Sequence, residues 1–278
     1  MKIKNYLLFA ICYLLFTTLA GCANYKFNKA KSLEKRGYYP QAIKYYLEFA
    51  NQYKNHKLSA EAMYRAGKLY QKELKIYSEA KNIYFDLINK YPENKEFVRL
   101  AKIGIFNSPD YFPLEDGNIW VEGDSESGGK NMKVEWYCQE ISTGVFKITK
   151  KYFAGKNLVT TLSKFYNEEN FELRESSEPN FKQYSVLLRL PFNKDNSWQT
   201  ERDNRKIKIT IVATDAEVKT IAGEFKNCLK ICYEDLNFPG SYKYEYYAID
   251  VGPVLTTVSS IKTKIEHRNS ELLYYKLK

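Results

Sequence analysis

Two periodicities of apolar and polar positions divide this chain. From about Lys26 to Phe106 the apolar residues recur at helical spacing, with alanines interleaved and no strand-like alternation. Beyond that the texture changes: Pro109, Pro113 and Gly117 break any helix, and Trp120 opens a series of segments with period two. Val134, Trp136 and Cys138 share one side of a segment while Lys133, Glu135 and Gln139 take the other; Ile207, Ile209, Ile211 and Ala213 oppose Lys206, Lys208 and Thr210 in the same way. Similar alternation runs from Tyr184 to Leu190, Phe225 to Tyr233 and Tyr242 to Ala248. One apolar and one polar face per strand predicts an antiparallel sheet with a covered side. Turn signals at Gly128-Gly129, Gly155-Lys156, Asn193 to Asn196, Asp203-Asn204 and Pro239-Gly240 predict about eight or nine strands in a meander. Such a sheet curls around its apolar face into a half-barrel or open barrel, with a sandwich as the alternative. The predicted fold class is α+β, with a helical domain over residues 22–107 and a β-rich domain over 108–278.

Within the helical part, Ala30, Leu33, Gly37, Tyr39, Ala42, Tyr46 and Phe49 form one set of alternating small and large residues. Tyr64, Gly67, Tyr70, Tyr77, Ala80, Tyr84, Ile88 and Pro92 form a second. Both sets resemble the packing positions of tetratricopeptide repeats, where small residues let two helices approach and aromatics fill the next layer. Ala42 and Ala80 are 38 residues apart, longer than the usual period of about 34. Stretched repeats of this kind are similar to those of BamD-like assembly lipoproteins and of the cell-division coordinator that works with the Tol-Pal system. Two repeats and a terminal helix from Lys95 to Phe106 fall short of the three repeats such stacks need, so the stack requires support from the second domain. A repeat stack presents a concave surface, and Tyr38, Tyr45, Tyr53 and Tyr77 are candidate anchors for a protein partner. The competing reading is that these tyrosines only pack the hairpins.

The first 21 residues carry Lys2 and Lys4, an apolar block from Tyr6 to Phe16, and the small residues Ala20 and Gly21. This is the layout of a secretory signal, too short for the roughly 20 apolar residues of a membrane span; an uncleaved anchor is the alternative. Leu19-Ala20-Gly21-Cys22 resembles the bacterial lipobox, which implies cleavage before Cys22 and three acyl chains on it. At about 0.8 kcal/mol per buried methylene, three chains make release from the membrane negligible. Ala23 rather than an aspartate follows, which favours an outer membrane where the organism has one, and otherwise the outer face of the plasma membrane.

The net charge is +10, or +8 once Lys2 and Lys4 are removed, with lysines scattered among Asn, Tyr and Glu rather than clustered. Cys138, Cys228 and Cys232 remain beyond the signal and anchor. Cys228 and Cys232, four apart in a predicted strand, stand roughly 13 Å apart and cannot bond to each other. Three free thiols are expected, with a bridge from Cys138 to one of the others as the alternative.

Three stretches carry a further resemblance: Tyr111 to Trp120, Val218 to Ile231 and Tyr246 to Ser259. They are similar to uncharacterised bacterial envelope proteins whose sheets look like those of lipoprotein carriers such as LolA. The resemblance supplies no catalytic motif. Gly117 and Gly252 read as tight turns, Gly223 as a crowded strand start, and Pro253 as a kink at a sheet edge. Trp120, Trp136 and Trp198 read as plugs of the concave face, or alternatively as the lining of a cavity for an apolar small molecule.

With only His56 and His267, both expected to be solvated, an imidazole metal cage is not expected, and no nucleotide, hydrolase or zinc-protease motif is present. Glu168-Glu169 and Glu234-Asp235 are expected in loops or strand ends as solvated charges. No catalytic residue, metal ligand or cofactor is assigned, and export takes nucleic acid out of reach. The expected role is a non-enzymatic interaction or assembly scaffold at the membrane, with a carrier or sensor of an apolar ligand as the alternative. Cys22→Ser is expected to abolish incorporation of labelled palmitate; a labelled Cys22→Ser chain would refute the anchor.

Overall fold

The computed structural model describes residues 23–263 and 265–278, so Cys22 and the signal segment lie outside the described residues. The chain divides into two compact units between Ser108 and Pro109.

Among the described residues the first unit holds five α-helices: α1 (residues 23–35), α2 (Tyr39–Gln52), α3 (Ser59–Lys68), α4 (Tyr77–Lys90) and α5 (Lys95–Phe106). The small residues fall where close approach demands them: Ala30, Ala42 and Ala80 are wholly buried, beside Tyr46, Phe49 and Tyr84. Gly67 on α3 and Gly104 on α5 flank the Tyr84 ring, and a Cβ at either would lie 2.6 or 2.4 Å from it. A π-turn at Leu69–Glu73 ends α3, carrying a buried Gln71. The Tyr84 hydroxyl donates to Gln71 Oε1 at 2.9 Å, and Gln71 Nε2 donates to the Asn107 carbonyl at 2.6 Å. The ring and its polar tip are therefore both accounted for. His56 is half-buried rather than solvated, edge-on to Phe49 with its Nδ1 accepting from the Leu58 N–H; His267 is exposed.

The second unit is one antiparallel sheet of twelve strands among the described residues. They are β1 (Ile119–Asp124), β2 (Met132–Ser142), β3 (Val145–Ala154), β4 (Asn157–Glu169), β5 (Glu172–Ser176) and β6 (Ser185–Arg189). The second half holds β7 (Ser197–Arg202), β8 (Arg205–Thr220), β9 (Gly223–Asp235), β10 (Ser241–Ala248), β11 (Gly252–Ser260) and β12 (His267–Lys276). The count exceeds the eight or nine expected because β5 and β6 are only five residues long and almost continuously buried, so they show no alternation.

Neighbouring strands are consecutive in sequence except where β1 pairs with β12. That ladder turns the meander into a nearly closed barrel whose remaining break lies between β6 and β7. Side chains span the break. Val186 N–H donates to Thr200 Oγ1 at 2.9 Å, Trp198 Nε1 to the Val186 carbonyl at 2.9 Å, and Ser185 Oγ to the Glu201 carbonyl at 2.6 Å.

Antiparallel pairing puts the β1–β2, β3–β4, β5–β6, β7–β8, β9–β10 and β11–β12 connections at one end of the barrel, here the mouth. The entry segment, residues 109–118, fills the other end, the floor. Phe112 stacks on Tyr166 with ring centres 5.8 Å apart and touches Trp120 and Tyr247. Trp120 is wholly buried and donates from Nε1 to the Val251 carbonyl at 2.6 Å. Gly252 serves this contact: its φ is +101° and an added Cβ would meet the Trp120 indole nitrogen at 3.3 Å.

Two local expectations are corrected. Gly223 is not crowded, since the nearest atom to an added Cβ is 3.9 Å away; its φ of +148° is the reason for glycine. Pro253 is on β11, interior to the sheet rather than at an edge, and sits at a register shift opposite Tyr247. Among the described residues no helix is long and apolar enough to cross a membrane.

Thr200→Val leaves the buried Val186 N–H without its acceptor, which costs about 1–3 kcal/mol. Amide exchange at Val186 is expected to accelerate and the unfolding midpoint to fall; unchanged exchange there would show that the break is not closed by this bond.

Candidate functional site: a charged lumen

Residues directly opposite in an antiparallel ladder share a face, so the register identifies the barrel's inner wall. Trp120 opposes Trp136, Trp136 opposes Lys150, and Glu122 opposes Val134. Tyr166 opposes Glu175, Ile209 opposes Trp198 and Tyr233, and Tyr233 opposes Lys243. On five of the inward rows, those of β1, β3, β4, β7 and β10, a buried aromatic or aliphatic residue is followed mouthward by a more accessible charged one. On β10 Tyr247 is buried, Glu245 half-buried and Lys243 exposed; on β3 Ile148 is buried and Lys150 and Tyr152 half-buried; on β7 Trp198 is buried and Arg202 half-buried. The β1 row runs from Trp120 to Glu122, and the β4 row from Tyr166 to Lys164, in the same sense. The lumen is a cup with an apolar floor and a charged upper wall.

Most of those charges are matched. Arg202 donates from Nε and Nη2 to the two oxygens of Glu175, at 3.0 and 3.1 Å, and Tyr166 donates to the same carboxylate at 2.6 Å. Burial alone would lower the Arg202 guanidinium, but Glu175 and Glu245 more than offset it and hold it above its ordinary range. Glu245 accepts from Lys243 and from the Tyr247 hydroxyl, which lies 3.1 Å from that of Tyr233. Against burial, Lys243 and Arg202 bring Glu245 down to about 2.

Glu122, Lys150 and Trp136 differ. Lys150 Nζ sits over the Trp136 ring, 3.2 Å from its centre, a cation–π contact. Among the described residues neither Glu122 nor Lys150 completes an ion pair with any partner. The Trp136 indole N–H lies close enough to Glu122 to favour its charged form, yet completes no hydrogen bond although the residue is only 8% exposed. Burial pushes Glu122 up to about 7, with Lys150 pulling the other way; burial brings Lys150 down to about 8, against the pull of Glu122 and Glu175.

Two clefts open at the mouth. One of about 540 Å³ is lined by Arg202, Arg205, Tyr233, Asp235 and Lys243, and one of about 590 Å³ by Lys164, Glu175, Lys182, Glu201 and Asp203. In the helical unit a cleft of about 620 Å³ is lined by Lys54, His56, Lys57, Lys90 and Asn94.

The three tryptophans expected on the concave face are all on the inner wall and all buried, Trp136 level with Lys150. The four tyrosines are not equivalent. Tyr38 is 45% exposed with Arg36 over its ring, whereas Tyr45, Tyr53 and Tyr77 are half-buried, Tyr45 beneath Lys29 and Tyr53 against Phe49. Of the four, Tyr38 is the most accessible. Cys138, Cys228 and Cys232 are free, and burial raises the first two to about 12 and 11. Such thiols are poor nucleophiles. Glu168-Glu169 and Glu234-Asp235 fall at the ends of β4 and β9. Among the described residues no three His, Cys, Asp or Glu side chains converge on a metal-sized site.

The sequence matches no known family model and no curated protein. It is similar to the crystal structure of a putative lipoprotein from Parabacteroides distasonis, at 17% identity and a TM-score of 0.40 over 60% of this chain and 98% of that one. It is also similar to a hypothetical protein from Chlamydia trachomatis, at 12% identity and a TM-score of 0.19 over 53% of this chain and 88% of that one. Neither likeness bears on the role of the lumen.

The lumen charges carried a signal that strand alternation alone obscures. On the inward rows a charged residue stands two places mouthward of an aromatic or aliphatic one: Glu122 after Trp120, Lys150 after Ile148, Glu245 before Tyr247. Each was a break in the apolar face.

Because Glu122 is raised from an ordinary 4.5 to about 7, its contribution to stability is complete below about pH 4.5 and is lost as pH rises through 7. Lys150, lowered from 10.5 to about 8, contributes fully above about pH 10.5 and loses that as pH falls through 8. Both are costly in the neutral window between. Glu122→Gln is expected to leave the unfolding free energy unchanged at pH 4 and to raise it by about 1–3 kcal/mol at pH 8; an equal effect at both would place Glu122 in ordinary solvent.

Proposed function

We propose that this chain is a lipid-anchored, non-enzymatic envelope protein whose barrel is a receiving cup for a small ligand. The observation that carries the reading is the graded inner wall, buried and apolar at the floor and accessible and charged toward the mouth on β1, β3, β4, β7 and β10. The anchor rests on Leu19-Ala20-Gly21-Cys22, and the location on the outer membrane, or the outer face of a single membrane, follows from that anchor. An apolar ligand would need the space that Phe112 and the indoles occupy, so the reading favours a polar one. The unreactive thiols and the ion-paired Glu175 and Glu245 suit recognition better than covalent catalysis.

A second reading concerns the helical unit. We read α1 to α4 as two tetratricopeptide-like hairpins, supported by the burial of Ala42 and Ala80 at matching positions. The cleft lined by Lys54, Lys57 and Lys90 suits an acidic segment of a protein partner, which would give the unit a scaffold role of its own.

Native mass spectrometry of the full chain, secreted without its lipid, is expected to show a small bound molecule released on denaturation. A mass equal to the bare chain after purification from its own envelope would overturn the cup. For the scaffold, in-cell crosslinks to a defined partner should disappear on replacing Lys54, Lys57 and Lys90 by Glu; persistence would remove that reading.

A further inference from the structure

Six charged side chains share one electrostatic environment in the lumen: the acids Glu122, Glu175 and Glu245 and the bases Lys150, Arg202 and Lys243. They balance. Two opposite pairs are locked in direct contact, Glu175 with Arg202 and Glu245 with Lys243. The third, Glu122 and Lys150, is not. A simple ion entering this lumen would unbalance it, while a neutral apolar molecule would leave both charges unmatched.

The backbone explains why the third pair stays open. Glu122 is on β1 and Lys150 on β3, with β2 between them. Two strand spacings separate their backbones by roughly 10 Å. The Trp136 indole fills the interval, with Lys150 on its face and Glu122 near its N–H edge. The large ring stands between the two charges, its face covered by the Lys150 ammonium and its own buried N–H without an acceptor. Enclosed opposite charges held apart by a rigid spacer are organised before any ligand arrives, and leaving them unmatched is costly.

We propose that the lumen binds a small zwitterion, its ammonium against Glu122 and its carboxylate against Lys150, bridging the two charges that the indole of Trp136 holds apart. This rests on the cup reading and names its ligand class: molecules with one ammonium and one carboxylate, such as amino acids and short peptides. The ligand carboxylate or the turned Glu122 takes up the indole N–H. The matched pairs on β5, β7 and β10 form the opposite wall and keep the net field near zero.

The test is calorimetric titration of the full lipid-free chain at pH 7.5 with glycine, β-alanine, 4-aminobutyrate, 6-aminohexanoate and alanyl-alanine. Acetate, methylammonium and inorganic phosphate serve as single-charge probes. Affinity is expected to pass through a maximum as the separation of the two charges grows, with the single-charge probes bound at least about tenfold more weakly. A charge-assisted hydrogen bond of about 1.5–3 kcal/mol corresponds to roughly tenfold or more, so Glu122→Gln and Lys150→Met should each lose at least that. Lys150→Arg should retain binding, which covers a Lys150→Met chain that fails to fold. Trp136→Phe keeps an aromatic spacer beneath Lys150 and loses the N–H, so its loss should be smaller. Phosphate or acetate binding as tightly as the best zwitterion would make this an anion site, and methylammonium doing so a cation site; either overturns the proposal. Zwitterion affinity unchanged by Glu122→Gln and Lys150→Met overturns it as well, by placing the ligand elsewhere. If no probe binds while native mass spectrometry still finds another molecule, the zwitterion class fails and the cup stands; if neither finds a ligand, both fail.

Discussion

The ladder between β1 and β12 is the constraint on which the second unit depends. Every other strand pairing is a local hairpin, and a chain of hairpins by itself is an open ribbon with both faces toward water. Joining Ile119–Asp124 to the last strand bends that ribbon around Trp120 and gives the sheet an inside. The register then decides which residues share that inside, so placing Glu122 on the inner wall follows from the same pairing that buries Trp120. Shifting β1 by one residue would exchange every side chain between the two faces.

Once an inside exists, its chemistry follows from depth. Near the floor, the entry segment supplies Phe112 as a plug, and the hydrophobic effect closes that end without a ligand. Higher up, the wall would have to bury charges, and it handles them in two ways. Arg202 is satisfied by Glu175 across the break in the sheet and Lys243 by Glu245 on its own strand, with Tyr166, Tyr233 and Tyr247 taking up further bonding capacity. Glu122 and Lys150 are left apart by an indole. The first arrangement is what a stable interior needs; the second is what a site ready for something else looks like.

Much of this architecture was legible in the residues themselves. The change of period at Pro109, the inward set Val134, Trp136 and Cys138, and the turns at Asp203-Asn204 and Pro239-Gly240 all read directly from local chemistry. Three things did not. The short strands β5 and β6 are buried on both sides, which removes the alternation that marks a strand. The Asn170-Phe171 turn has positive φ at both residues, one of them a phenylalanine that no turn rule favours. The lumen charges were visible only as interruptions, because a sequence does not say which end of a strand is open. Closure by β1 and β12 joins residues about 150 positions apart, and no local pattern encodes such a contact.

That same distance governs the order in which the unit can assemble. As the chain emerges, β2 to β6 and β7 to β11 are free to form neighbouring hairpins at once, but β1 has only β2 to pair with until His267–Lys276 appears. Trp120 and Phe112, among the earliest residues of the unit to be made, stay without their full covering longest. The unit's completion is thus timed by its carboxyl end, and a ribosome stalled anywhere before His267 leaves behind an unfinished wall with its aromatic lining bare.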